Sequence, residues 1–258
     1  MVRRHGLSDV LGGAYVFPGG KLDASDLLLT SQLDQEAGAL HGALGEPELA
    51  EERACGLYVA ALREAFEECG VLFAQDAAHH HSLQLADQIK SGLPFNQVLI
   101  DLQLRLQTRA VLPWSRWITP RMPSIASKRF DTRFFVAALP ADQIASHDNV
   151  ETTESVWLTP RLALQQYWER QIEMAPPQIM TLAHLSRFSD VAGVLHSARQ
   201  TLPKLVAPEP FDEGGERVIC YPGDPRHSLS TPAMPGPTRL RWRNQRFEPE
   251  QGFEGLFA

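Results

Sequence analysis

The chain has 258 residues, 43% of them hydrophobic and 21% charged, and a net charge of -7 at pH 7. This is ordinary globular composition and excludes the disordered and fibrous classes. The acidic balance argues against a dedicated nucleic-acid binder, which carries a basic surplus, and no apolar run approaches the roughly 18 residues of a membrane span.

Residues 2–20 read as strand, loop, strand and tight turn, with Tyr15-Val16-Phe17 of strand composition stopped by Pro18-Gly19-Gly20. Residues 27–50 mix short polar and apolar stretches with Gly38, Gly42, Gly45 and Pro47, the texture of an inserted loop with a little helix. Residues 51–68 hold no proline, carry Leu57, Val59, Ala60, Leu62 and Phe66, and end at Gly70, a good helix terminator. Val71-Leu72-Phe73 reads as a short strand, and His79, His80 and His81 as a solvated loop, since three adjacent residues do not converge on one ion. A helix is expected over 93–107 and strands at 117–119, 134–138 and 156–158. Thr159-Pro160 opens a further helix, residues 180–200 form another, and 217–221 with 239–242 make a terminal hairpin.

Cys55, Cys69 and Cys220 show no CxxC or CxxH spacing, which gives neither a disulfide framework nor a zinc site and fits reduced thiols. With no basic-then-apolar leader at the amino end, the expectation is a cytoplasmic protein without a membrane or nucleic-acid partner.

The chemistry is concentrated in Arg63-Glu64-Ala65-Phe66-Glu67-Glu68-Cys69-Gly70-Val71. Residues three and four apart share a helix face, so Glu64, Glu67 and Glu68 form one carboxylate patch. Like charges so crowded raise one another's pKa unless a cation sits among them, and hard divalent ions with oxygen ligands suit such a patch. The competing account is a solvated acidic face. Upstream, the Gly19-Gly20 pair lets backbone carbonyl oxygens approach a metal closely.

These residues resemble the Nudix hydrolase signature: Gly20 matches its opening glycine, and Arg63 through Val71 match its closing half. The two halves are separated by an insertion of about thirty residues. Asp26 stands at the first glutamate position counted forward from Gly20, and Cys55 stands there counted back from Arg63; a cap aspartate is the plainer account of Asp26. An insertion at this place, with Trp117-Ile118-Thr119-Pro120, Arg129-Phe130-Asp131-Thr132-Arg133 and Trp157-Leu158-Thr159-Pro160, is similar to the coenzyme A diphosphatase branch.

The resemblance implies an α/β/α sandwich around a mixed sheet. Residues 1–206 would form the Nudix domain with its insertion at 27–50, and 207–258 a carboxy-terminal extension packed on it. It implies Mg2+ or Mn2+ held by Gly20, Glu64, Glu67 and Glu68, with Glu64 as a further ligand or as the base that activates water, and Arg63 orienting a glutamate. Glu151 and Glu154 are candidates for one more acid, on a later loop. Arg129 and Arg133, alternating with Asp131 along a strand, either meet substrate phosphates or form an ion-pair ladder with Asp131; Lys128 would face away. Arg3 and Arg4 carry the same two accounts. The implied substrate is coenzyme A or an acyl ester; ADP-ribose or a dinucleotide is the alternative, and a nucleotide sensor that cleaves nothing is the third. A second copy of the chain is the one macromolecular partner left open. Family members carry a strand before the one at residues 2–5, so the natural frame is expected to start upstream.

Overall fold

The computed structural model describes residues 1–6, 12–75, 77, 79–120, 129–147 and 152–258. Lys128 and Glu151 lie outside these. In chain order the first elements are β1 (Val2–Arg4), β2 (Tyr15–Val16), α1 (Ala37–Leu44), α2 (Glu51–Cys69), α3 (His79–Lys90) and α4 (Phe95–Asp101). Then come β3 (Val111–Ile118), β4 (Asp131–Ala137), β5 (Thr152–Ser155), α5 (Pro160–Trp168), α6 (Pro176–Leu185) and α7 (Val191–Gln200). The chain closes with β6 (Lys204–Val206), β7 (Glu209–Glu213), β8 (Glu216–Cys220), β9 (Arg239–Arg243) and β10 (Arg246–Glu248). Two compact units result. One is Met1–Pro113, Phe135–Val156 and Leu195–Leu202; the other is Trp114–Phe134, Trp157–Val194 and Pro203–Ala258.

In the first unit β1 lies between β2 and β5, antiparallel to both. Val2 faces Val16 and Ser155, while Arg3 faces Tyr15 and Glu154. Because side chains alternate along a strand, this register sends Val2 and Val16 into the core and puts Arg3, Tyr15 and Glu154 in one row on the other face. Helix α2 is the spine of the unit. Tyr58, Val59, Leu62, Phe66 and Cys69 are buried in a cluster with Leu29, Leu40, Leu99 and Leu106. Gly70 ends the helix at φ 68°, its N–H donating to the Phe66 carbonyl at 2.7 Å. Gly56 has its own reason for lacking a side chain: a methyl there would stand 2.6 Å from Leu27 Cδ2 and 3.0 Å from Leu22 Cδ1. A helical glycine costs about 1 kcal/mol against alanine, and here it lets the 3₁₀ turn Ala24–Leu28 settle directly on α2.

Several expected boundaries moved. Val71-Leu72-Phe73 is buried but not strand, and the histidine run opens α3. The helix expected over 93–107 stops at Asp101, and Gln103 takes a φ of 54°. The strand expected at 156–158 lies earlier, as β5. One expected helix over 180–200 is two, α6 and α7.

In the second unit β6 pairs parallel with β3, in a sheet ordered β4-β3-β6. Trp117 packs edge-on to Phe134 and Tyr221. Helix α5 starts as expected, with the Thr159 hydroxyl accepting from the Leu162 N–H and Pro160 in the first turn. The expected pairing of residues 217–221 with 239–242 is present as β8 on β9, inside an antiparallel sheet ordered β10-β9-β8-β7. Arg241 bridges Glu213 and Glu250, and Arg243 pairs with Glu216. Cross-strand opposite charges of this kind suit a sheet face.

Asp224 anchors the turn before β9. Its side chain is wholly buried and takes Arg239 in two bonds, at 2.7 and 2.8 Å. Burial alone would raise its pKa; the bonds from Arg239, the Arg226 N–H and Thr238 outweigh that and hold it below the ordinary value. A depressed carboxyl contributes stability above its unfolded pKa, about 3.9, and loses it as pH falls through the folded value. We therefore expect the unfolding midpoint to drop in acid below about pH 4. Asp224→Ala, which leaves Arg239 without its buried partner, should cost roughly 3 kcal/mol. Urea melts across pH test both, and an Asp224→Ala midpoint equal to that of the parent would contradict them.

Candidate active site

The two halves of the signature meet in the first unit despite the insertion between them. The Gly19 N–H donates to Glu68 Oε2 at 3.1 Å. A methyl on Gly20 would stand 2.6 Å from the carboxyl carbon of Glu64 and 2.7 Å from its Oε2. Bare backbone thus touches two of the three carboxylates. Gly19 itself has a φ of 155°, at the edge of the range that favours glycine.

Arg63 organises the rest. Its Nη1 donates to Glu64 Oε1 and to Glu67 Oε2, each at 2.8 Å. Its Nη2 donates to the Lys21 carbonyl at 2.8 Å and to Asp26 Oδ2 at 3.1 Å, and its Nε to Asp26 Oδ1 at 2.9 Å. Burial works against this charge, but the Asp26 bonds and the charges of Glu64, Asp26 and Glu67 outweigh it, so the guanidinium pKa lies above its ordinary value. Arg63, Glu64 and Glu68 are buried; the Glu67 side chain is 35% exposed.

Asp26 is 2% exposed and does two things at once. It accepts the Asp23 N–H in a capping box at the start of the 3₁₀ turn, and it takes Arg63 in a bidentate pair. Cys55 is buried in the core cluster, its thiol pKa raised by burial and by Glu51. Of the two residues the sequence offers for the first glutamate position, the structure brings Asp26 to Arg63. Removing it leaves a buried guanidinium short of its partner, so Asp26→Ala should lower stability by about 3 kcal/mol. It should also lower turnover, because Arg63 no longer fixes Glu64 and Glu67. Asp26→Glu should recover part of both; a chemical-denaturation midpoint unmoved by Asp26→Ala would refute the role.

Among the described residues no group of three or more His, Cys, Asp or Glu side chains is gathered tightly enough to hold a metal ion. One Arg63 nitrogen holds Glu64 and Glu67, and the Gly19 N–H holds Glu68. The donor chemistry still fits a hard divalent cation, since carboxylate oxygens lie against bare glycine backbone.

The other expected residues make contacts of their own. Arg129 precedes β4 rather than alternating within it, and its Nε donates to the Thr119 carbonyl at 3.2 Å. Arg133 pairs with Asp131 at 3.1 Å, and Arg116, which the sequence did not single out, takes Asp131 at 2.9 and 2.8 Å. For Arg133 the geometry is that of the ion-pair ladder. All three arginines belong to the second unit. Arg4 sits on β1 beside a register shift, opposite Thr152. Glu154 is on a strand, not a loop, and accepts the Tyr15 hydroxyl at 2.6 Å. Tyr15 and the Lys21 carbonyl escaped the sequence reading; their place either side of the glycine pair was the available signal.

Residues 41–185 match the family model described as the NUDT19 Nudix domain. The chain is 30% identical over 234 residues to an acyl-coenzyme A diphosphatase of Xenopus laevis, covering 74% of this chain and 60% of that protein. A Gallus gallus protein of the same description is 26% identical over 280 residues, covering 88% of this chain and 73% of that one. The structure is similar to a Nudix hydrolase of Alicyclobacillus acidocaldarius, with a TM-score of 0.60 and 23% identity over 78% of this chain and 87% of that one. The mixed α/β architecture is therefore of the Nudix type. No helix among the described residues is long and apolar enough to cross a membrane.

Proposed function

The chain belongs to the Nudix family whose NUDT19 domain model it matches, and on that premise we propose that it hydrolyses the diphosphate linkage of coenzyme A or an acyl ester of it. The observation that carries this reading is the closure of the signature across its insertion: Gly19 and Gly20 on Glu68 and Glu64, with Arg63 tying Glu64, Glu67 and Asp26 together. The substrate class rests on the description of the Xenopus laevis and Gallus gallus relatives, of which the chain spans 60% and 73%.

Nudix hydrolases generally use divalent metal ions, which when bound neutralise phosphate oxygens and make water a better nucleophile. We assign Glu67, Glu68, Glu64 and the Gly20 carbonyl to hold Mg2+ or Mn2+. Arg63 presents Glu64 and Glu67 from one nitrogen and is itself fixed by Asp26, so two carboxylates keep their places between turnovers. Glu64, 9% exposed, serves in this reading either as one of these ligands or as the base for the attacking water. Such preorganised charges cost no rearrangement at the moment of reaction.

The test is a panel of coenzyme A, acetyl-coenzyme A, ADP-ribose and a diadenosine diphosphate, with Mg2+, Mn2+ or a chelator, and products weighed by mass spectrometry. Coenzyme A should give 3′,5′-ADP and 4′-phosphopantetheine, with the thioester of the acyl form intact. Turnover of ADP-ribose without turnover of either coenzyme would replace the substrate; turnover of nothing would favour a sensor.

A further inference from the structure

The row Arg3, Tyr15 and Glu154 crosses all three strands of the first unit's sheet on the face opposite Val2 and Val16. Directly opposed residues on antiparallel strands are in reach of one another, and opposite charges there normally pair. Yet no ion pair joins Arg3 to Glu154. Glu154 instead accepts the Tyr15 hydroxyl at 2.6 Å. Arg3 is exposed, and among the described residues its guanidinium has no hydrogen bond or ion pair. Tyr15 is 8% exposed and its pKa is pushed up to about 12, chiefly by burial and then by Glu154, so the phenol keeps its proton and serves Glu154 as a donor. Tyr15 thereby fixes the orientation of the Glu154 carboxylate, and in that orientation it makes no ion pair with Arg3.

The row lies within chain reach of the carboxylate patch. Gly19, bonded to Glu68, lies four residues beyond Tyr15 on the same strand and turn. Chain reach keeps those two Cα atoms within about 15 Å, and Arg3 is the cross-strand neighbour of Tyr15. That span is of the order of a nucleoside whose diphosphate sits on the patch.

The geometry points to Arg3 as a specificity-determining residue that binds the 3′-phosphate of the substrate's nucleoside, with Tyr15 as the positioning residue that keeps Glu154 from neutralising it. This rests on the coenzyme A reading above. A guanidinium–phosphate contact is charge-assisted and, when partly exposed, is worth about tenfold in affinity.

The probes are 3′,5′-ADP and 5′-AMP, which differ by that one phosphate, titrated calorimetrically into the chain and its variants. The parent should prefer 3′,5′-ADP by about tenfold, and Arg3→Gln should lose the preference. Tyr15→Phe removes one hydroxyl, frees Glu154 to pair with Arg3, and should lose most of it. Tyr15→Phe with Glu154→Gln should restore it. Unchanged thermal midpoints establish that each variant is folded. A parent without preference, or Arg3→Gln that keeps it, overturns the assignment. A Tyr15→Phe variant that keeps the preference, or no recovery in the double variant, overturns the part given to Tyr15. Coenzyme A turnover by the parent is measured alongside: preference without turnover retires the substrate reading and leaves the phosphate site standing, whereas turnover without preference does the reverse.

Discussion

Glu67→Gln and Glu68→Gln should each lower turnover by at least about a hundredfold while the protein stays folded. The size follows from what one preorganised electrostatic group supplies to a charged transition state. Glutamine keeps the volume and one oxygen but removes the charge that a hard cation needs. Stability responds differently at the two positions. Like charges three and four apart on a helix repel, so neutralising one should help the helix by a few tenths of a kcal/mol. At Glu67 that gain is offset, because its carboxylate also takes Arg63 at 2.8 Å. Steady-state rates with saturating metal, alongside thermal midpoints, decide the matter. Parent-like turnover in both variants would remove these carboxylates from the chemistry.

Gly20→Ala should cost turnover on the order of a hundredfold with little loss of stability, an uncommon signature for a glycine. The φ of Gly20 is not positive, so alanine fits the backbone. Its methyl, however, would stand 2.6 Å from the carboxyl carbon of Glu64. That carboxyl is the far end of a flexible side chain and moves aside at small energetic cost, but it moves away from the position Arg63 gives it. Misplacing a catalytic group by about 1 Å is enough for a hundredfold loss. Folding free energy from denaturant melts and kcat should therefore separate in this variant. Loss of both together would mean the glycine serves the fold and not the site.

The site was more legible in the sequence than the fold around it. The absence of proline over residues 51–68 and the glycine after it located α2 within a residue, because helix periodicity and a left-handed cap are local properties. Spacing alone set Glu64, Glu67 and Glu68 within one turn of α2. What could not be read was which side chain Arg63 would choose, because Asp26 reaches it across 37 positions of sequence. That contact depends on Leu22 and Leu27 closing over Gly56, a packing relation with no local signature. The histidine run was misjudged for a similar reason: Leu85, six positions beyond His79, is fully buried and gives α3 an anchor that composition does not reveal. The break between α6 and α7 lies at Ser186–Asp190, where the Asp190 carboxylate accepts the Gly193 N–H at 2.8 Å and starts a new helix. Capping of that kind competes with a continuous helix and wins only in context. On β4, alternation put Arg129, Asp131 and Arg133 on one face, but the strand begins at Asp131 and Arg116 arrives from β3 to take that carboxylate.

The most direct test of the account is binding of Mn2+ to the chain in the absence of substrate, read from the paramagnetic resonance signal of the free ion. The parent should remove free Mn2+ from solution with a saturable stoichiometry. The Glu67→Gln, Glu68→Gln double variant should leave the signal at its protein-free level while melting cooperatively near the parent midpoint. A double variant that takes up Mn2+ as the parent does would place the metal elsewhere and contradict the account.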